Sequence, residues 1–125
     1  MTGAREAIHT DTAPPPAGTY SQAIRASGLL FVAGQTPRLP DGTRLNDEPF
    51  TVQARQALEN TAQIAKAADT SFDRAVSVTC YLADIEDRTA FDEVWREFVT
   101  APYPARAVVE AGLPGFAIEI SAIFA

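Results

Sequence analysis

Residues 104–125 read PARAVVEAGLPGFAIEISAIFA. Two apolar runs of strand length flank a Gly/Pro turn, which predicts strands over residues 105–110 and 116–124. Side chains alternate across a strand. In the second run Ile118, Ile120, Ala122 and Phe124 share one side, and Ala117, Glu119, Ser121 and Ile123 the other. In the first, Ala105, Ala107 and Val109 lie opposite Arg106, Val108 and Glu110. The purely apolar sides are expected beneath helices. The mixed sides, with Arg106 and Glu119 both on them, then form a half-apolar face that needs another cover, and a second subunit would provide it. A charge set in an apolar strand is costly unless it is paired or used.

Working back from that segment, residues 76–82 alternate Val76, Val78, Cys80 and Leu82 with Ser77, Thr79 and Tyr81, which is strand period. Between them and residue 105, Phe91, Val94, Trp95 and Phe98 mark a helix over 89–99, with Asp87 as its cap and Pro102 and Pro104 beyond its end. Upstream, Ala54, Ala57, Leu58, Thr61, Ile64, Ala65 and Ala68 recur at helical spacing, predicting a helix over 51–68 with Thr51 as N-cap. Residues 71–73 read as a tight turn. Residues 36–49 are a polar loop turning at Asp41-Gly42, and 20–26 and 29–33 form a hairpin across Ser27-Gly28. A short strand at 7–10 precedes the Pro-rich TAPPPAG. The order β-β-β-α-β-α-β-β, without linker or repeat, makes residues 1–125 one α+β domain with two helices on one face of a sheet.

Composition narrows the chemistry. Ten basic residues stand against 16 acidic, for a net charge of −6 with a single lysine, Lys66. This disfavours a nucleic-acid partner, because phosphate binding relies on clustered cations. No apolar run reaches the ~20 residues of a spanning helix, and the opening MTGAREAIHT has no signal-peptide core, so no membrane association is expected. A lone cysteine, Cys80, fits a reducing cytoplasm. His9 is the only histidine, which leaves no His/Cys metal set and no histidine-based triad, and no phosphate-binding glycine motif occurs. Neither metal nor cofactor is expected.

Five segments together resemble the Rid family of enamine/imine deaminases, the YjgF-type proteins. They are GTYSQAI (18–24), LLFVAGQTP (29–37), QARQALENTAQIAKAA (53–68), VSVTCYLADIEDRTAFDEV (76–94) and the PAR…EI stretch at 104–125. The resemblance implies a chorismate-mutase-like fold with a mixed sheet, and a cytoplasmic homotrimer with sheets inward and a site between each pair of subunits. It also implies cofactor-free hydrolysis of 2-aminoacrylate and similar 2-imino acids to 2-keto acids and ammonia.

Under that resemblance, Arg106 grips the substrate carboxylate with its planar fork, and Glu119 polarises the attacking water and passes a proton to the leaving ammonia. Tyr20 walls the pocket, Gly34 lets backbone approach the substrate, the backbone of Val108 lines the site, and Asp92 stands at its rim where the family often has Asn. Thr19, Ala33, Asp92, Val108 and a short 99–103 connection depart from the family pattern. A less polar, trimmed pocket of that kind suits a bulkier, pathway-specific imine. A non-catalytic trimer that binds a small carboxylate stays open as a rival, as does ribonuclease or translation inhibition. Without any family match, Arg106 reads as a structural ion-pair partner of Glu110 or Glu119.

Overall fold

A computed structural model describes residues 4–125; the first three residues of the expected 1–125 domain lie outside the described residues. Six strands form one sheet: β1 (Glu6–Ile8), β2 (Ala23–Ala26), β3 (Leu29–Gln35), β4 (Ala75–Leu82), β5 (Ala105–Glu110) and β6 (Ile118–Phe124). Their spatial order is β1-β2-β3-β6-β4-β5. Only β4 and β5 run parallel, and the crossover between them carries helix α2 (Arg88–Trp95). Helix α1 (Phe50–Ala67) connects β3 to β4 and packs against β3, β6 and α2. The expected α+β fold, a mixed sheet with two helices on one face, is the observed one. Among the described residues no helix is long and apolar enough to cross a membrane.

The core lies between the helices and one face of the sheet. All seven positions of the small-residue stripe on α1, from Ala54 to Ala68, are buried there. So are Ile118, Ile120, Ala122 and Phe124 of β6 and Val78, Cys80 and Leu82 of β4, as their alternation predicts. Phe72 sits in a 3-10 turn at 72–74, where the tight turn is expected, and meets Trp95, Phe98 and Phe124 edge-on at 5.4–5.9 Å. Ser27 and Gly28 both take positive φ (54° and 77°), the two-residue turn that suits the twist of a hairpin.

Several local expectations are corrected. Thr51 does not cap α1. Pro49 occupies that position, and its carbonyl accepts from Val52 and Gln53 N–H at 3.1 Å. Asp87 stands at the start of α2 without a side-chain cap bond, while Asp84 caps the preceding turn through Glu86 N–H at 2.9 Å. Helix α2 ends at Trp95 rather than Val99, because the bonds from Glu97 N–H to Val94 O and from Phe98 N–H to Trp95 O tighten its last turn ahead of the prolines. Tyr20 lies before β2, not in it. The bond from Tyr20 N–H to Gly18 O at 3.0 Å bends the chain there, and pairing with β3 begins where Gln22 O accepts from Ala33 N–H at 2.9 Å, while the buried Gln22 side chain is bonded to Thr10 and to the Ala13 and Pro14 carbonyls.

The largest correction concerns the faces of β5. Its register with β4 sets Arg106 beside Val78, Val108 beside Cys80 and Glu110 beside Leu82. Neighbours in register share a face. Arg106 and Val108 therefore face the helices, and Ala105, Ala107 and Val109 face away, the reverse of what apolar content suggests. An edge strand allows this, because every residue of β5 except the half-buried Val108 is exposed. The open face carries Val109 (40% exposed) and Phe31 (42%) together with Ile123, Ser121, Thr79 and Tyr81.

Candidate functional site

Arg106 and Glu119 lie on opposite faces of the sheet. Glu119 is in register with Tyr81 of β4, and Tyr81 with Val109 of β5, three residues beyond Arg106. Two strand spacings and three residue rises put their backbones roughly 14 Å apart. Each charge lines a different cavity.

The first cavity, about 560 Å³, opens between α2 and the approach to β5, and is lined by Asp92, Trp95, Arg96, Tyr103, Pro104 and Arg106. Arg106 Nη1 donates to Asp92 Oδ1 at 2.8 Å, with the two side chains 27% and 34% exposed. Neither Glu110 nor Glu119 is its ion-pair partner; Glu110 instead accepts from Ile85 N–H at 3.0 Å. The Arg106 guanidinium also lies 5.6 Å from the Trp95 ring centre and 5.7 Å from that of Phe91, so two aromatic faces hold its plane. The second Asp92 oxygen accepts from Arg96 at 3.2 Å, one helical turn on. The hydrogen bond from Arg106 holds the Asp92 carboxyl below its ordinary value, against a smaller opposing effect of burial. Cys80 lies in the core below, where burial pushes its thiol up to about 12 despite the nearby Arg106 charge. It is a packing residue, not a nucleophile.

The second cavity, about 310 Å³, lies at the junction of β3 and β6 and brings together Tyr20, Gly34 and Glu119 with Arg38, Arg44 and Phe116. Tyr20 is fixed by its hydroxyl, which accepts from Ala17 N–H at 3.1 Å. Gly34 stands at the register shift of β3. A Cβ there would come within 2.8 Å of Glu119 Cδ and closer still to its carboxylate. Glycine at this position therefore seats the Glu119 side chain flat on the β3 backbone.

Of the six residues singled out by sequence, Arg106 and Asp92 thus meet in one cavity, and Tyr20, Gly34 and Glu119 in the other. Val108 lines neither; its side chain packs against the core, and its backbone lies on the sheet edge. Sequence reading missed Arg38, Arg44, Arg96 and Tyr103 as site residues. A two-residue turn at Asp41-Gly42 would pair Arg38 with Leu45, so the sequence carried no signal for the Arg38–Arg44 bridge, which comes from a loop one residue longer.

Comparison with known proteins agrees with this architecture. The chain is 42% identical over 121 residues to the RutC family protein PH0854 of Pyrococcus horikoshii, covering 95% of this chain and 96% of that one. It is 36% identical to the human 2-iminobutanoate/2-iminopropanoate deaminase, over 95% of this chain and 88% of the relative. The crystal structure of RidA from the Antarctic bacterium Psychrobacter sp. PAMC 21119 superposes with a TM-score of 0.87 at 36% identity, over 95% and 98% of the two chains. The family model described as Endoribonuclease L-PSP matches residues 10–125, and the chain belongs to that family, the YjgF/Rid proteins.

Proposed function

We propose that this chain is an imine/enamine deaminase that hydrolyses small 2-imino acids, such as 2-aminoacrylate and its imine tautomer, to 2-keto acids and ammonia. The observation that carries the proposal is the division of the charges. One cavity offers an arginine fork, the other a carboxylate seated on a glycine, and they lie on opposite sheet faces. A substrate that uses both must lie between two copies of the chain. We also propose that the copies form a homotrimer, the number being what the Rid resemblance implies, assembled through the open apolar face, in which Arg106 of one subunit and Glu119 of its neighbour share each site.

The chemistry follows from the groups present. Asp92 engages Arg106 through Nη1, and the rest of the guanidinium fork takes the substrate carboxylate, held in plane by Trp95 and Phe91. That positions the C=N carbon. Glu119 of the neighbouring subunit removes a proton from a water molecule as its oxygen bonds to that carbon. The same carboxyl then delivers the proton to nitrogen. This gives a carbinolamine; the carboxylate next carries its hydroxyl proton to the amino nitrogen, the C–N bond breaks, ammonia leaves, and the carbonyl forms. Water supplies the oxygen, and nothing is oxidised or reduced. The relatives named as 2-iminobutanoate/2-iminopropanoate deaminases support this reaction class.

The test generates 2-aminoacrylate in situ with a serine-dehydrating enzyme and follows pyruvate and ammonia release. Acceleration by the protein, lost in Arg106→Ala, supports the proposal. No acceleration by a folded assembly refutes it.

A further inference from the structure

We infer that the Glu119 cavity contains a second anion-recognition element, formed by Arg38 and Arg44, and that the preferred substrate carries a second anionic group distal to its 2-imino carboxylate. This rests on the reading of that cavity as half of the deaminase site.

Arg38 and Arg44 face each other across an isolated antiparallel bridge and both line the cavity with Glu119 and Tyr20. Like charges directly opposite on paired strands repel. Neither guanidinium belongs to an ion pair among the described residues, so the two cations share the cavity with one carboxylate, Glu119, that neither engages within salt-bridge distance. One positive charge is left over where an anion would be gripped by two forks.

The arm that carries them is built to hold position. Leu39 accepts from Gly42 N–H at 2.8 Å and Leu39 N–H donates to Thr43 O at 2.9 Å, while Asp41 Oδ1 accepts from Thr43 N–H at 2.9 Å. Buried Asn60 on α1 donates to the Thr36 and Arg38 carbonyls at 3.2 and 2.8 Å. Arg38 Nη2 donates to Pro15 O at 2.9 Å, which fixes the direction of its side chain. Arg44 remains exposed and can swing onto a ligand. A fixed arm that sets one held and one mobile cation beside the catalytic carboxylate, with no protein anion paired to either among the described residues, is preorganised in its backbone for a ligand anion.

Arg106 of the neighbouring subunit takes the α-carboxylate, so Arg38 and Arg44 are left for a group further along the chain of the substrate. That group is a carboxylate or a phosphate, and two probes separate them. Calorimetry would compare 2-oxobutanoate, the single-anion product analogue, with 2-oxoglutarate and with 3-phosphonooxy-2-oxopropanoate. At least one of these two-anion-group ligands should bind roughly tenfold or more tightly than 2-oxobutanoate, about the effect of one charge-assisted hydrogen bond. Whichever of them wins names the group. In Arg38→Gln/Arg44→Gln, and to a lesser degree in Arg44→Gln alone, the ratio of dissociation constants should fall towards one. Arg44 is exposed, so its single variant folds even if loss of the Arg38–Pro15 bond perturbs the double one. A ratio near one in the unsubstituted protein, or a ratio kept in Arg44→Gln and in a folded double variant, overturns the inference. Binding is read without turnover, so it can fail while Arg106-dependent deamination of 2-aminoacrylate stands. Conversely, a dianion preference without any deamination would refute the proposed reaction and leave the anion element in place.

Discussion

If each site joins Arg106 of one subunit to Glu119 of the next, two inactive variants should repair one another. In the proposed site, Arg106→Ala removes a fork expected to make two charge-assisted bonds to the substrate. At about 1.5–3 kcal/mol each, that is a loss of roughly 10²- to 10⁴-fold in kcat/KM. Glu119→Gln removes the group that moves the proton, again a loss of about 10²- to 10⁴-fold. Equimolar variants are mixed, co-unfolded and refolded, so that subunits assemble at random. Half of the subunits then contribute an intact Arg106 cavity, and half of their neighbours an intact Glu119 cavity. About a quarter of the sites are complete, and activity should return to about a quarter of the unsubstituted value. A site within one chain predicts no recovery at all, because every chain carries one defect. A second mixture sharpens the distinction. Unsubstituted chain mixed with the double variant Arg106→Ala/Glu119→Gln should retain about a quarter of the activity for a shared site and about half for a site within one chain. Hetero-assembly is verified by native mass spectrometry on a mass-tagged partner. A verified mixed assembly that stays at the level of the single variants would refute the shared site.

Three further outcomes are expected. Gly34→Ala is tolerated by the backbone, which is not in the left-handed region, so its effect reports the collision with Glu119 alone. It should lower the melting temperature and kcat, and Gly34→Ala/Glu119→Ala should regain the lost stability; equal melting temperatures for the single and double variants would contradict the seating of Glu119 on Gly34. The Cys80 thiol, pushed up to about 12 by burial, should resist iodoacetamide at pH 8 in the folded protein and react after denaturation; rapid native labelling would show it to be accessible. Asp92 is held below its ordinary value of 3.8, so the stability it gains from Arg106 is present above that pH and is lost only as pH falls through the lower native value. Carboxyl NMR should therefore place its midpoint below 3.8 and move it back up in Arg106→Ala; an unmoved midpoint would break the link between the two residues.

Periodicity made most of the fold readable. The stripe on α1 and the alternation of β4 and β6 repeat over enough residues for burial of one face to decide them. The side of β5 was not readable the same way. Alternation says which residues share a face but not which face is covered, and in a six-residue edge strand the apolar side can be the open one. Only the parallel register with β4, a long-range fact, settles it. Tyr20 was misplaced for a related reason. Its segment has strand composition, but the bonds from Tyr20 N–H to Gly18 O and from Ala17 N–H to the Tyr20 hydroxyl bend the chain ahead of the sheet. The charged members of the candidate site were conspicuous because charge in an apolar strand is rare. The arginines of the loop were not, since a charge in a polar loop reads as solvated until its pairing partner is known.

The two cavities also bear on which anions this chain can recognise. In the first, Arg96 and Arg106 stand against Asp92; in the second, Arg38 and Arg44 stand against Glu119. Each has one cation in excess, on a chain whose formal net charge is −6. Positive potential confined to concave sites on an acidic body attracts small anions that can enter and repels extended ones. An RNA backbone needs several cations along a continuous track, and its affinity grows with the number of phosphates neutralised. Here the cations come in two pairs, and the net negative charge of the chain would oppose a long polyanion. Under the proposed shared site a short dianion meets the opposite balance, with one charge at Arg106 and the other at the neighbouring subunit's Arg38 and Arg44 cavity. The charge distribution therefore favours deamination of a small imino acid over the RNA cleavage in the family's description.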